Sequence, residues 1–327
     1  MIKYLVREHV DDTSVDFAVL SSADTLKDYI KSYFAGTVAS ALGYLAMIGD
    51  GYVWSDHYEN IGGGNTATRR TPDFVFAIPG ATDVALMESK GTRSATATAF
   101  DKTVADGYVH QVEPHLGYAF GTGTATHGFS IGSLLTSTTK AELNIHHTDT
   151  VTVTSAGGLA GGSISSVQRH NYATAFRLAH SEELSRQVRT GELAAEIPFY
   201  QFEWLGRKWL TSKMVHAYSH GAAERYYEML RELWLRSYRS PYQGHFAVER
   251  SCAEAVLRGV SESRGESARF DLTPMPRGLT QEARSGEGDS ALFPDGLAVS
   301  YSGFSSAKDF SKIVVWRQEK QGFQVYE

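Results

Sequence analysis

The sequence has little of what disulfide-bonded, zinc-binding or membrane proteins are built from. Its 327 residues include a single cysteine, Cys252, which excludes an intrachain disulfide and any zinc site made of several cysteines. It has no run of eighteen apolar residues and no basic segment followed by an apolar one, so neither a membrane span nor secretion is expected. The composition therefore predicts a globular protein of the cytoplasm.

The chain also lacks an excess of basic residues. Its formal net charge is −6, so contact with a polyanion would need a local basic patch or a protein partner. Hydrophobic residues make up 42% of the sequence, which is enough for one large or two modest cores. A mixed α/β protein with two regions fits this length.

The sequence does contain two short apolar runs around a turn signal. Residues 73–78 and 83–88 are rich in β-branched, aromatic and apolar side chains, and residues 79–82 read Pro-Gly-Ala-Thr. This pattern predicts a β-hairpin. With the turn centred in that segment, Asp73 faces Glu88, and their Cβ atoms would lie roughly 4.5–5.5 Å apart.

The same register places a lysine beside the two acids. Side chains two apart on a strand share a face, so Lys90 joins Glu88 while Ser89 points away. A slip of one residue would separate them. Adjacent carboxylates disfavour joint ionisation unless a cation lies between them, and hard oxygen ligands favour Mg²⁺ or Mn²⁺ over zinc. Lys90 would then orient or help deprotonate an attacking water molecule.

Pro72-Asp73 followed by Glu88-Ser89-Lys90 resembles the PD-(D/E)xK nuclease superfamily, which has the restriction-endonuclease-like fold. The resemblance implies a mixed-sheet core with helices on both faces. It further implies that Asp73 and Glu88 bind Mg²⁺ with help from the Ser89 backbone carbonyl, and that Lys90 assists the water.

The resemblance covers roughly residues 25–150 and implies the order helix, three-stranded antiparallel meander, helix and further strand. The flanking sequence predicts a helix over residues 24–48, with Asp24 as its N-cap, and a second helix over residues 96–112.

Further site residues follow from the resemblance. Gln111 lies where some members carry a polar residue that supports the site, and Glu59 and Asp56 are candidates for an upstream acidic metal ligand. The Gln-x-x-x-Tyr signature of the exonuclease branch is absent, because position 115 is His115.

The second half of the motif carries most of the information. Glu88-Ser89-Lys90 is the only Glu-x-Lys or Asp-x-Lys triplet in the chain, whereas Pro294-Asp295 repeats the first half with no such triplet behind it. In the simplest non-functional interpretation, Asp73 opens a strand and Glu88 to Lys90 form its solvated end. A strand that is apolar on both faces seldom ends in charged residues unless these have a binding partner or a function. This favours the functional interpretation.

A competing motif is Gly128-Phe129-Ser130-Ile131-Gly132, which matches the nucleophile elbow of serine hydrolases with Ser130 as nucleophile. An elbow needs a strand before it and a helix after it in a parallel sheet, and the preceding residues do not predict that context. The candidate partners of such a serine are His216, His220, His245 and Asp149.

The chain is expected to divide into residues 1–165, the nuclease-like core, and residues 166–327, a mainly helical region with C-terminal strands that binds substrate or a partner. Helices are predicted over residues 166–190, 212–238 and 246–262. Basic and aromatic residues alternate between positions 204 and 250, a pattern typical of nucleic-acid contact or of a salt-bridged solvated helix face.

The function implied by the resemblance is Mg²⁺-dependent hydrolysis of phosphodiester bonds, with DNA as the expected substrate. Members often serve in restriction, repair or antiviral defence against mobile DNA, some as the effector of a larger complex, so a protein partner or a homo-oligomer is also expected. The alternative is a noncatalytic assembly subunit that retains the fold. The intact Asp73, Glu88 and Lys90 favour the nuclease, because decayed members usually lose the lysine or one acid.

Overall fold

The computed structural model divides into two compact units, Met1–Val167 and Gln168–Glu327. The residues that it describes are 2–11, 13, 16–61, 63–120, 123–148, 164–212, 245–262, 270, 272–276, 290–300, 304 and 307–325.

The N-terminal unit combines helices with a curled mixed sheet. In chain order its elements are α1 (Ile2–His9), β1 (Val10–Asp11), β2 (Ala18–Val19), α2 (Asp28–Gly49), β3 (Trp54–His57), α3 (Tyr58–Ile61), β4 (Phe74–Ala77), β5 (Val84–Thr92), α4 (Ala97–Gly107), β6 (Ala119–Phe120), β7 (Gly123–Leu134) and β8 (Glu142–His147).

Strands β3, β4 and β5 form an antiparallel meander, and β7 then lies parallel to β5 after the crossover through α4. Strands β6 and β8 both pair antiparallel with β7. The order is therefore helix, three-stranded meander, helix and parallel strand, which makes the β5–β7 junction the one parallel pairing of this sheet among the described residues.

The β4–β5 hairpin has the predicted register. Val75 pairs with Leu86, and Ala81 N donates to Ile78 O across the turn. Gly80 has a φ of +78°, which suits the third position of a type II turn after a proline. The ladder ends one pair earlier than predicted, at Phe74 and Met87, so Asp73 lies just outside strand β4.

Helix α2 packs on one face of the sheet because small residues allow a close approach. A Cβ atom on Gly91 of β5 would collide with the backbone oxygen of Ala35 in α2. The hydroxyls of Ser40 and Ser89 are 2.9 Å apart at the same contact. These contacts hold the C-terminal end of β5 against α2.

The start of α2 differs from the prediction, and Asp24 is not its N-cap. The helix begins at Asp28, while Asp24 lies in a preceding 3₁₀ turn and accepts a hydrogen bond from Arg93 Nε at 2.9 Å. The Arg93 side chain is almost fully buried, so pairing its charge takes precedence over capping.

By length and composition alone, α2 is long and apolar enough to cross a membrane. The core helix of a globular protein meets the same test, and α2 buries Phe34, Ala35, Val38, Ala39 and Met47 within the unit. Length and composition are therefore weak evidence for a membrane span.

Helix α4 covers the opposite face. Its N-cap is Thr96, whose hydroxyl accepts from Ala99 N at 3.3 Å, and it continues into a π-helical turn, Tyr108–Val112. A Cβ atom on Gly132 of β7 would collide with Val104 of α4. The sheet is thus enclosed by α2 on one side and α4 on the other.

The C-terminal unit consists mostly of strands, so the prediction of a mainly helical region was wrong. After α5 (Ile164–Ala179), which spans the division between the units, its elements are α6 (Glu182–Thr190), β9 (Glu196–Trp204), β10 (Arg207–Thr211), β11 (His245–Glu249), α7 (Arg250–Glu262), β12 (Ser290–Leu292), β13 (Leu297–Ser300), β14 (Lys308–Arg317) and β15 (Gly322–Val325). The strands form one antiparallel sheet in the order β12-β13-β11-β10-β9-β14-β15.

The predicted helices in this half have different outcomes. Residues 166–190 form two helices, α5 and α6, instead of one. The predicted helix over residues 246–262 begins with strand β11, and only its remainder is helix α7. Residues 213–244, which hold most of the predicted helix 212–238 and of the basic and aromatic pattern, lie outside the described residues.

The hairpin of β9 and β10 has an unusual turn. Leu205 and Gly206 both have positive φ, +50° and +68°, as a two-residue type I′ turn requires. Pro198 lies in β9 outside the segment paired with β10, opposite Val315 of β14. Neither feature is a typical strand signal in sequence.

We expect Gly91→Ala to destabilise the protein by about 1–3 kcal/mol or more, because the added methyl group collides with the backbone of α2. Gly36→Ala is the matched control. No atom lies within 4 Å of its added Cβ, and removing a helical glycine should stabilise α2 by about 0.5–1 kcal/mol. Urea unfolding of both variants measures the difference, and equal effects would contradict the close α2–β5 packing.

Candidate functional site

Glu88 is a buried acid on β5, at the parallel junction with β7. Its relative exposure is 2%, and it follows four buried residues of the same strand. Lys90 Nζ donates to Glu88 Oε1 in a close ion pair. Within the described chain, Glu88 Oε2 is buried and has no hydrogen-bond partner. Lys90 therefore pairs with one oxygen of this carboxylate, and the other oxygen is left without a hydrogen bond in the described chain.

Lys90 is held between two acceptors. Besides Glu88, its ammonium donates to Gln111 Oε1 at 2.8 Å, and Gln111 Nε2 in turn donates to the Thr71 carbonyl at 3.2 Å. Gln111 projects from the π-helical turn that follows α4, a kind of distortion often found at functional sites. These hydrogen bonds link β5, the end of α4 and the loop before Asp73.

Asp73 is placed by Ser89 rather than by direct strand pairing with Glu88. Asp73 Oδ2 accepts from the Ser89 backbone N–H at 2.9 Å and from the Ser89 hydroxyl at 2.8 Å. Since the Ser89 hydroxyl has only one hydrogen, Ser40 donates to Ser89. A relay from α2 through Ser89 therefore orients the Asp73 carboxylate.

The electrostatics of Glu88 follow from this arrangement. Burial, and then the nearby negative charge of Asp73, raise the pKa of Glu88 to about 7, against the opposing effects of Lys90 and Gln111. This carboxyl group therefore gains or loses its proton near neutral pH. A positively charged ligand would favour its ionised form.

Two residues pack on this acid that the sequence did not place there, and one of them, Ser130, was considered only as a hydrolase nucleophile. Ser130, on β7, is the residue that pairs with Glu88, and its buried hydroxyl has no hydrogen-bond partner in the described part of the chain. Gly107 lies above both, because a Cβ atom there would be 2.9 Å from Ser130 Oγ and 3.1 Å from Lys90 Cε. The packing of α4 on the site therefore requires a residue without a side chain at position 107.

The two candidates for an upstream acid lie in different environments. Asp56 is buried on β3 opposite Val75, so by strand alternation it shares the sheet face of Glu88, and it accepts from Asn60 Nδ2 at 3.1 Å. Glu59 is exposed on α3 and, in the described residues, forms no ion pair or hydrogen bond with Lys90 or Gln111. The structure therefore does not bring Glu59 into the site.

His115 is a buried residue held in place by hydrogen bonds on both ring nitrogens. It is fully buried, and its Nδ1 accepts from the Asn65 backbone N–H at 3.1 Å, so Nε2 carries the hydrogen that is donated to Arg70 O at 2.9 Å. Tyr58 OH also contacts Nδ1, at 2.7 Å. Burial lowers the pKa of His115, which keeps the ring neutral.

The geometry does not support Ser130 as the nucleophile of a hydrolase. The serine lies in the middle of β7 rather than at a strand-to-helix turn, and its hydroxyl is fully buried. His245 belongs to β11 of the C-terminal unit, whereas His216, His220 and Asp149 lie outside the described residues.

The second Pro-Asp pair forms a structural turn. Asp295 Oδ2 accepts from Asn171 Nδ2 at 2.8 Å, and Asp295 Oδ1 accepts from Leu297 N at 3.0 Å. Burial raises the pKa of Asp295. Its carboxyl group stabilises the turn between β12 and β13.

Within the residues that the structure describes, no group of three or more histidine, cysteine, aspartate or glutamate side chains is arranged to hold a metal ion. That finding disfavours a zinc-type cage and leaves room for an ion that needs only one or two carboxylates. Comparisons of the chain with protein-family models, curated proteins and solved structures found no match. Function must therefore be inferred from the chemistry of the site itself.

The raised pKa of Glu88 predicts a pH-dependent stability of the metal-free protein. The folded state keeps a proton between pH 4.5 and about 7 that the unfolded chain releases, so this contribution is complete below pH 4.5 and lost as the pH rises through 7. Glu88→Gln cannot ionise and should lose less stability across that interval, with a difference on the order of 1–3 kcal/mol.

Urea unfolding in EDTA at pH 5 and pH 8 measures this difference. Glu59→Gln is the matched control, because Glu59 is exposed, and it should behave like the wild type. The same pH dependence in Glu88→Gln and the wild type would contradict the assignment.

Proposed function

We propose that this chain is a Mg²⁺- or Mn²⁺-dependent nuclease that hydrolyses phosphodiester bonds, with DNA as its substrate. The observation that carries the proposal is the buried Glu88 within β5, ion-paired to Lys90, with Asp73 beside it just before β4. Few structural roles require two acids and a lysine in one partly closed site.

The architecture around the site supports the proposal. The N-terminal unit has the order helix, antiparallel meander, helix and parallel strand, with helices on both sheet faces. The PD-(D/E)xK resemblance implies that arrangement, and we propose on this basis a restriction-endonuclease-like core. Fold alone does not establish activity, so the proposal depends on the site residues.

The residues present fit a hard divalent cation. Glu88 Oε2 is a buried carboxylate oxygen without a hydrogen-bond partner in the described chain, and burial, followed by the Asp73 charge next to it, raises the pKa of Glu88. Mg²⁺ needs only one or two protein carboxylates, because water and phosphate oxygens complete its shell. Asp73 and Glu88 would hold the ion, with the Ser89 backbone carbonyl as the third ligand that the resemblance implies.

The chain supplies the remaining parts of the chemistry. A bound Mg²⁺ would lower the pKa of a coordinated water and neutralise charge on the scissile phosphate. An ammonium has three donors, and two of those on Lys90 are used by Glu88 and Gln111. The third can orient the attacking water or a phosphate oxygen. Gln111, anchored on the Thr71 carbonyl, fixes the direction of that donor.

The wider role also follows from the resemblance. We propose that the enzyme acts in the cytoplasm in restriction or antiviral defence, as the effector of a larger complex or as a homo-oligomer. The noncatalytic assembly subunit is the alternative, and the intact Asp73, Glu88 and Lys90 argue against it.

The purified protein should nick or degrade plasmid DNA in Mg²⁺ or Mn²⁺ and stop in EDTA. Glu88→Ala and Lys90→Ala should each lower the cleavage rate by at least about 100-fold, because each removes a group needed at the reacting phosphate. Glu59→Ala, which removes an exposed acid from α3, should retain the activity.

Circular dichroism of each variant separates loss of activity from loss of fold. Equal cleavage by wild type, Glu88→Ala and Lys90→Ala would contradict the site. A folded wild type that cleaves nothing, alone and with the products of neighbouring genes, would favour the noncatalytic subunit.

Ser130→Ala distinguishes the nuclease from the hydrolase alternative. The buried hydroxyl contributes no hydrogen bond to the described site, so cleavage of DNA should change by less than about threefold. A chromogenic ester provides the second measurement. Ester hydrolysis that is present in the wild type and lost in this variant would instead assign Ser130 as a nucleophile.

A further inference from the structure

The proposed site creates an electrostatic problem for its own substrate. Asp73 and Glu88 are acids, and the chain as a whole carries a formal net charge of −6. A polyanionic nucleic-acid strand is repelled by both unless fixed positive charges lie beside the site. Lys90 is already paired with Glu88, so the positive charge must come from elsewhere.

The loop that leads into Asp73 is fixed at both ends by the segment that follows α4. At its start, Asn65 Nδ2 donates to the Pro114 carbonyl at 2.9 Å and the Asn65 N–H donates to His115 Nδ1. At its end, His115 Nε2 donates to the carbonyl of Arg70 at 2.9 Å, and Gln111 Nε2 donates to that of Thr71. The neutral, buried His115 therefore anchors both ends of the loop, each through one of its ring nitrogens.

Two arginines project from this anchored loop. Arg69 and Arg70 are both exposed, and neither forms an ion pair with a carboxylate in the described part of the chain. Thr68 Oγ1 accepts from the Arg70 N–H at 3.2 Å, which further orders the backbone at this point. Because both side chains are exposed and neither is paired with a carboxylate in that part of the chain, both guanidinium groups remain available for binding.

The backbone next to Arg70 is linked to the reacting groups by hydrogen bonds. Arg70 precedes Thr71, whose carbonyl is joined through Gln111 to Lys90. Three residues after Arg70 comes Asp73 itself. A strand held by this loop would thus lie next to the carboxylates.

We propose that Arg69 and Arg70 form a phosphate-binding pair that holds the nucleic-acid backbone beside Asp73 and Glu88. The proposal rests on the proposed nuclease function, and it assigns the positive charge that the acidic site itself lacks. Guanidinium groups bind phosphate through paired, charge-assisted hydrogen bonds, which suits two exposed arginines on a fixed backbone. Because hydrogen bonds to phosphate carry no base information, the pair would bind DNA of any sequence.

Binding of a fluorescein-labelled DNA duplex, measured by anisotropy between 50 and 200 mM salt, tests the pair. Glu88→Gln serves as the parent protein, so that the duplex is not cleaved. Adding Arg69→Ala and Arg70→Ala should weaken binding about tenfold or more at low salt. It should also reduce the slope of log K against log salt by about 0.9 for each phosphate that the protein no longer neutralises.

Two sets of variants serve as controls. Lys27→Ala with Lys31→Ala removes the same charge at the start of α2, on the other side of the sheet, and should leave the slope nearly unchanged. Arg69→Lys with Arg70→Lys keeps the charge and should retain most of the salt dependence while reducing the affinity in part.

The outcomes separate the two proposals. If the wild type cleaves DNA but the alanine pair binds with unchanged affinity and slope, the arginine pair is wrong and the nuclease stands. Equal weakening by the Lys27 and Lys31 variants would also overturn the pair, since binding would then depend on total charge. If the wild type neither cleaves nor binds nucleic acid, the proposed function itself fails.

Discussion

The candidate site of the N-terminal unit depends on one constraint, that the carboxylate of Glu88 is kept inside the sheet. Burial of a charge is costly unless it is paired, and here Lys90 pairs with one oxygen while the other is left without a partner in the described chain. Both helices pack closely on the sheet because two positions have no side chain. Gly91 leaves room for α2, and Gly107 lets the end of α4 approach Lys90 and Ser130. Such an arrangement is costly for stability, which is why it indicates a function.

Part of the site could be predicted from the sequence because it depends on local rules. The turn at residues 79–82 fixes the hairpin register, and side-chain alternation places Lys90 with Glu88. The exact position of Asp73 could not be predicted. The ladder ends before it, and its carboxylate is oriented by Ser89, whose hydroxyl depends on Ser40 almost fifty residues earlier. Hydrogen bonds between residues so far apart along the chain leave no periodic pattern in the sequence.

Some elements were predictable in the first half and few in the second. The sequence predicts helices over residues 24–48 and 96–112 and, from a proline-glycine turn, the β4–β5 hairpin between them, although α2 begins at Asp28. In the C-terminal unit, the β9–β10 hairpin turns on Leu205-Gly206 instead of the usual Asn-Gly, and Pro198 lies inside a strand. In the sequence both features argue against a strand. Pairing with the neighbouring strands nevertheless forms β9 and β10. The α7 helix was recognisable, whereas the strand just before it was not.

The proposed function requires that Asp73 and Glu88 together hold one divalent cation. Titration of the metal-free protein with Mn²⁺, followed by isothermal calorimetry or by the electron paramagnetic resonance signal of free Mn²⁺, tests it without any substrate. One Mn²⁺ should bind per chain in the wild type and in Glu59→Gln, and binding should be abolished in Asp73→Asn and Glu88→Gln. Undiminished binding in either of the last two variants, or no binding to the folded wild type, would contradict the claim.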